Sequence, residues 1–282
     1  MNYSISSDRL KNSLLKGLLK VLTVFFKGIG EDFYIIGATA RDIVLSGIHH
    51  QHPGRETNDL DIAIAIPDWS RYQEISDLLC KVEGFRKSKS QQQRFWYKDV
   101  YMVDIVPFGN IAKADHHIYW PPEDIHAMSV AGLAEVVKRS ILVMIDDDLE
   151  IYVATLPGIF ILKLNAWHDR YLQTNRDAED MAFILANYLE INEERAARDH
   201  YDLYEAEDFS TLVAGASLMG RDIKDILQVN PAILQEIREM LTSEIEKQEE
   251  SMLINQILET HGAHKYEDIY NSFLSIANEL SK

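Results

Sequence analysis

The chain has 282 residues, with 28 Lys and Arg against 45 Asp and Glu, a net charge of −17 and 46 % hydrophobic residues. That length and composition suit one large or two smaller globular domains with a real core, and the charge disfavours a surface that tracks along nucleic acid. The single cysteine, Cys80, excludes an intrachain disulfide or a multi-cysteine metal site, suits a reducing cytoplasm, and is expected to pack on the helix "YQEISDLLCKV".

In chain order, an amphipathic helix is expected over residues 8–27, with Leu14, Leu15, Leu18, Leu19 and Leu22 on one face. Lys11, Lys16 and Lys20 interrupt its apolar run and no cleavage signal follows, so it is read as part of the domain and not as a signal peptide; no stretch is long and apolar enough for a membrane span. A strand, "FYIIGA", leads into a helix over 39–47 and a polar loop, "HHQHPGRETN". The strand "DLDIAIAI" follows, then a helix over 69–82 opened by Pro67 and Asp68. "RFWYKDVYMVDIVPFG" reads as two strands joined by a tight turn at Lys98 and Asp99, with Pro107 stopping the second. Residues 110–128 read as an irregular loop, and "SILVMIDDDLEIYVATL" as a hairpin turning at Asp146 to Asp148. Beyond Pro157 the pattern is helical almost to Lys282, without internal repeats. The expected organisation is an α/β domain over 1–156, a small mixed sheet with flanking helices, and an α-helical domain over 157–282.

Two carboxylates interrupt the apolar strand "DLDIAIAI". Residues two apart share a face, so Asp59 and Asp61 project side by side, and their repulsion is relieved if both bind a divalent cation. Mg²⁺, or Mn²⁺, prefers carboxylate and phosphate oxygens and usually arrives with substrate phosphates. Asp104, isolated in "YMVDIVPF", supplies a third acid if its strand is a neighbour, and two ions about 4 Å apart could then lie between the acids and a nucleotide. Gly37, between a strand and a helix, permits the sharp turn and close backbone approach that a phosphate needs.

The run "IIGATARDIVLSG…TNDLDIAIAI…VDIVPFG" resembles the nucleotidyltransferase superfamily that includes DNA polymerase β and the tRNA CCA-adding enzymes. The downstream "LPGIFILKLNAWHDRYLQTNRDAEDMAFIL" looks like the AbiEii group of toxin nucleotidyltransferases, and the two together cover roughly residues 30–190. The resemblance implies metal binding by Asp59 and Asp61 and activation of the attacking hydroxyl by Asp104. It also implies a phosphate cradle at Gly37 and Ala38, and a Lys163 that meets the triphosphate or a developing charge and is oriented by Asp177 or Asp180. Ala38 departs from the usual Ser or second Gly; Thr39 is the candidate to replace the lost hydroxyl, and Arg41 either reaches phosphate or pairs locally with Asp42.

Arg55 and Thr57 could contact substrate or be solvated in their loop; His49, His50 and His52, like His116 and His117, read as exposed loop residues. Lys163 either snorkels outward from its apolar helix or serves the site; Phe95, Trp96 and Tyr97 read as core packing; the Asp146–Asp148 run reads as a turn. The expected activity is Mg²⁺-dependent transfer of a nucleoside monophosphate from an NTP to an RNA end, a protein or a small molecule in the cytoplasm, with the active site between the two halves. A nucleotide-binding or toxin–antitoxin component that acts by binding, and an antibiotic-modifying nucleotidyltransferase, remain the alternatives.

Overall fold

The computed structural model describes residues 2–10, 12–51, 59–122, 127–260 and 264–282. The chain forms two compact units, Met1–Thr155 and Leu156–Lys282. The first comprises β1 (Asn2–Ile5), α1 (Ser13–Ile29), β2 (Phe33–Ile36) and α2 (Gly37–Asp42), which runs on as a π-helical stretch, Ile43–Ile48. There follow β3 (Asp59–Ala65), α3 (Trp69–Leu79), β4 (Phe85–Lys87), β5 (Arg94–Tyr97), β6 (Tyr101–Phe108), β7 (His117–Tyr119), β8 (Ala127–Ser129), α4 (Leu133–Lys138), β9 (Ile141–Ile145) and β10 (Leu149–Val153).

Eight of these strands make one mixed sheet, in the order β1-β9-β10-β2-β3-β6-β5-β4. β3 pairs antiparallel with β2 and parallel with β6, so the two acid-bearing strands are adjacent. Along α1, Leu15, Leu18, Leu19, Leu22 and Phe26 are buried. Asn12 caps its first turn and Gly30 ends it at φ 72°. Its lysines are fastened to the β9–β10 turn: Lys16 bridges Asp146 at 2.5 Å and Lys20 bridges Asp148 at 2.6 Å. Phe95 and Tyr97 point into the core, and Arg86 lies over the Trp96 ring between them.

Several expectations need correction. Residues 110–128 are not wholly irregular, since β7 and β8 pair as a small antiparallel sheet. Pro107 does not stop β6, which continues to Phe108. The amide of Ile105 donates to Gln93, so the site of the missing Pro107 N–H faces the same flank, where β5 has already ended. Cys80 is exposed at the end of α3 and does not pack inside. The first helix begins at Ser13, with β1 and a 3₁₀ turn, Ser7–Arg9, ahead of it.

The second unit contains α5 (Leu156–Arg170), α6 (Arg176–Ile191), α7 (Glu193–Asp199), α8 (Thr211–Leu227), α9 (Pro231–Glu246), α10 (Met252–Thr260) and α11 (Tyr266–Ser281). α8 packs against α6 and α11, with Leu218, Met219, Ile223, Phe273 and Ile276 buried among them. Among the described residues no helix is long and apolar enough to cross a membrane.

Candidate active site

Strand alternation creates the acidic row. Leu60, Ile62 and Ile64 on β3, and Val103 and Ile105 on β6, are buried on one face, whereas Asp59, Asp61 and Asp104 are half-buried on the other. The parallel register sets Asp61 level with Asp104, about one strand spacing (~4.8 Å) away. The structure therefore brings the three predicted carboxylates onto one patch of the sheet.

Gly37 forms the wall of this patch. Its φ is +66°, and a Cβ placed there would lie 2.2 Å from Asp61 Oδ2 and 3.0 Å from Asp61 Cγ. Both the turn from β2 into α2 and the space for the Asp61 carboxylate thus require a residue without a side chain. Ala38 follows in the first turn of α2 and is buried. Thr39 donates its hydroxyl to the Asp59 carbonyl at 2.8 Å, which ties α2 to β3. That donor is committed to the backbone and does not project outward as the replacement hydroxyl. Arg41 is 1 % exposed, and its Nε and Nη2 donate to Asp42 Oδ1 at 2.9 and 2.7 Å. The local ion pair is what the geometry shows at this position.

Arg94, which the sequence reading passed over, completes the row. It stands opposite Asp104 in the β5–β6 ladder and grips both carboxylate oxygens, Nε to Oδ1 at 2.8 Å and Nη2 to Oδ2 at 2.7 Å. Hydrogen bonding to Asp104 raises the Arg94 pKa, burial opposes the rise, and the charges of Asp104, Asp59 and Asp61 add to it. Tyr101 was also missed. Burial pushes its phenol up to about 12, a hydrogen bond with Thr39 works against this, and the charges of Asp59, Asp42 and Asp61 reinforce it. A count of ladder pairs back from the hairpin turn finds Arg94 only once the turn is known to include Val100 as well as Lys98 and Asp99.

The second unit carries the other predicted residues. Lys163 reaches Asp177 Oδ1 at 3.0 Å and Asp180 Oδ2 at 2.6 Å, both acids being 0 % exposed. Arg170 forks onto Asp177 at 2.8 and 2.9 Å. Burial works against the charged form of Asp177, but Lys163 and Arg170 outweigh it and hold the pKa below the ordinary carboxylate value. Lys163 is therefore neither a solvated lysine nor a core defect; α5 and α6 are fastened through it. Arg55, Thr57 and His52 lie outside the described residues, and His50 Nε2 sits 2.9 Å from Arg9 Nη1.

Among the described residues no three His, Cys, Asp or Glu side chains gather as a metal-binding group, and both oxygens of Asp104 are turned to Arg94. The fit to a divalent cation rests on Asp59 and Asp61. They are hard oxygen donors on one strand face, and Mg²⁺ needs only one or two carboxylates when phosphates supply the rest.

A strand and glycine turn into a helix, a D-x-D pair on the next strand and a third acid in register beside it make a nucleotidyltransferase core. The family model described as nucleotidyl transferase AbiEii toxin, type IV TA system, matches residues 23–272, and the chain belongs to that family. No curated protein matches the chain. Among solved structures, an antigenic nucleotidyltransferase-like protein from Paracoccidioides brasiliensis is similar at 18 % identity and a TM-score of 0.43, over 74 % of this chain and 94 % of that one. The antibiotic-resistance factor ANT(2'')-Ia is similar at 12 % identity and a TM-score of 0.36, over 67 % and 96 %. The CdnE cyclic dinucleotide synthase of Elizabethkingia meningoseptica, with GTP and Apcpp, is similar at 10 % identity and a TM-score of 0.27, over 98 % and 94 %.

Proposed function

We propose that this chain transfers a nucleoside monophosphate from an NTP to a hydroxyl acceptor (an RNA end, a protein or a small molecule), releasing pyrophosphate, and that it does so in the cytoplasm. The observation that carries the reading is the in-register pair Asp61 and Asp104 with Asp59 on the same face, set against the side-chain-free turn at Gly37. Asp59 and Asp61 would hold Mg²⁺ or Mn²⁺ together with the NTP phosphates. When bound, the ion neutralises phosphate charge and stabilises the leaving oxygen.

The protein's own groups account for the rest. The side-chain-free turn at Gly37, followed by Ala38, leads into the start of α2, whose first turn has no side-chain cap and would offer its backbone N–H groups to phosphate. Asp104, oriented by the Arg94 fork, accepts the proton of the attacking hydroxyl. In the second unit, Asp177 and Asp180 fix the amine of Lys163, the cation that the family resemblance assigns to phosphate.

The test incubates the purified chain with each α-labelled NTP in turn, Mg²⁺ and a cell extract, and follows the label. Transfer to one class of acceptor is expected, lost in Asp59→Asn and Asp61→Asn variants that keep their melting temperature. Absence of transfer from every NTP, or transfer indifferent to both substitutions, overturns the proposal.

A further inference from the structure

Residues paired across strands share a face, and one such level holds Ile36, Asp61, Asp104 and Arg94 across β2, β3, β6 and β5. The next level on that face, two residues along, reads Leu142, Tyr152, Tyr34, Ala63 and Val106 across β9, β10, β2, β3 and β6. It contains no ionic side chain. The opposite face of these strands is closed, with Val143, Val153, Ile35, Ile62 and Ile105 at most 1 % exposed. Tyr152, by contrast, is 42 % exposed, and Tyr34, Leu142 and Val106 are half-buried. The two tyrosine rings lie side by side, their centroids 5.6 Å apart and their planes at 39°. Tyr34 is the diagonal neighbour of Asp61 across the β2–β3 pair, a separation of about 7–8 Å that an aromatic side chain can span.

We infer that Tyr34 and Tyr152 form the platform on which the base of the nucleotide stacks. The inference rests on the proposed metal–nucleotide site and adds to it where the nucleoside lies and how loosely its base is selected. In an in-line displacement the attacking hydroxyl and the departing pyrophosphate lie on opposite sides of the phosphorus. With the hydroxyl at Asp104 and the phosphates at Gly37, that line runs across the strands, so the nucleoside leaves it sideways, along them. On one side the next level is Asp59, Met102 and Trp96. Asp59 is the other proposed cation ligand, and the Trp96 ring already has the Arg86 guanidinium over it. The level of Tyr34 and Tyr152 offers an uncharged aromatic surface instead. Every base has a π-face, so such a platform accepts all four and favours the larger purines through their greater contact.

Calorimetry on the full chain with Mg²⁺ compares the four NTPs with inorganic tripolyphosphate, which carries the phosphates without a base. In the wild type the tightest NTP should bind about 5- to 100-fold more tightly than tripolyphosphate, with ATP and GTP ahead of CTP and UTP. Tyr152→Ala and Tyr34→Leu should each weaken NTP binding about fivefold or more and leave tripolyphosphate affinity unchanged. Tyr152→Phe and Tyr34→Phe keep the ring and should resemble the wild type. Wild-type NTP affinity in both Tyr152→Ala and Tyr34→Leu, or an equal loss for tripolyphosphate, overturns the inference.

Asp61→Asn separates this claim from the reading beneath it. If Asp61→Asn binds NTP and tripolyphosphate as the wild type does, the phosphates sit elsewhere and the proposed site falls. If it weakens both ligands while the tyrosine variants change neither, only the platform falls. A wild type that binds neither NTP nor tripolyphosphate removes site and platform together. Should the half-buried Tyr34 position not tolerate leucine, the more exposed Tyr152 decides. Weaker NTP binding by Tyr152→Ala at an unchanged melting temperature supports the inference, and retained binding refutes it.

Discussion

Replacing Gly37 with alanine puts a methyl group where the Asp61 carboxylate now sits. Two costs arise, and they fall on different measurements. The first is backbone strain: Gly37 has φ +66°, and a Cβ in the left-handed region costs about 1–2 kcal/mol. For a unit of this size, that lowers the melting temperature by about 2–8 °C. The second is collision, with the new Cβ 2.2 Å from Asp61 Oδ2 where about 3.5 Å is comfortable. The carboxylate, at the end of its side chain, escapes by swinging roughly 1 Å, a displacement that adds little to the loss of stability but takes one of two proposed cation ligands out of place. Gly30→Ala is the matched control, with φ +72° and nothing within 4 Å of its would-be Cβ. Both variants should melt lower by similar amounts, whereas only Gly37→Ala should weaken Mn²⁺–nucleotide binding, by roughly 10- to 100-fold. Melting curves and calorimetry on the three proteins decide the matter. Unchanged nucleotide affinity in Gly37→Ala, or an equal loss in Gly30→Ala, refutes the link between this glycine and the acidic row.

Asp104→Asn should keep most Mg²⁺–NTP binding yet slow label transfer by at least about a hundredfold, as for loss of a positioned proton acceptor; transfer at the wild-type rate removes Asp104 from the chemistry. Lys163→Ala leaves Asp177 and Asp180, both 0 % exposed, without their shared cation, and should destabilise the second unit by about 3–5 kcal/mol in chemical denaturation; an unchanged midpoint shows that Arg170 alone suffices. Because the Asp177 pKa is depressed in the folded protein, its stabilisation is complete above the unfolded carboxylate value, about 4, and is lost as pH falls through the lower folded value. In Lys163→Ala, protonating Asp177 instead relieves an undercompensated charge. The stability gap between wild type and variant should therefore narrow on acidification from pH 7 to below about 4, and a constant gap contradicts the pairing.

Local chemistry made much of this protein legible. The alternation in "DLDIAIAI" puts two acids on one face whatever the neighbouring strand is, because side-chain direction in a strand has a period of two. The leucine spacing of α1 specifies its buried side, and Gly37 before a helix specifies a turn that needs positive φ. Pairing between distant segments was not legible in the same way. β1 has only four residues, and its parallel partner β9 lies some 140 positions along the chain, so no local pattern announces it.

Arg94 shows the limit most sharply. A turn confined to Lys98 and Asp99 would pair Tyr97 with Val100 and place Arg94 beside Val103, on the wrong face. The actual connection also includes Val100, so Tyr97 pairs with Tyr101 and Arg94 meets Asp104. One residue in a turn reverses every side chain of a strand. The sequence alone determined which residue types could bind a cation and on which strands they lie. Only the tertiary structure decided that the third acid is already held by an arginine, because strand register is settled by packing across the whole sheet and not by the strand's own residues.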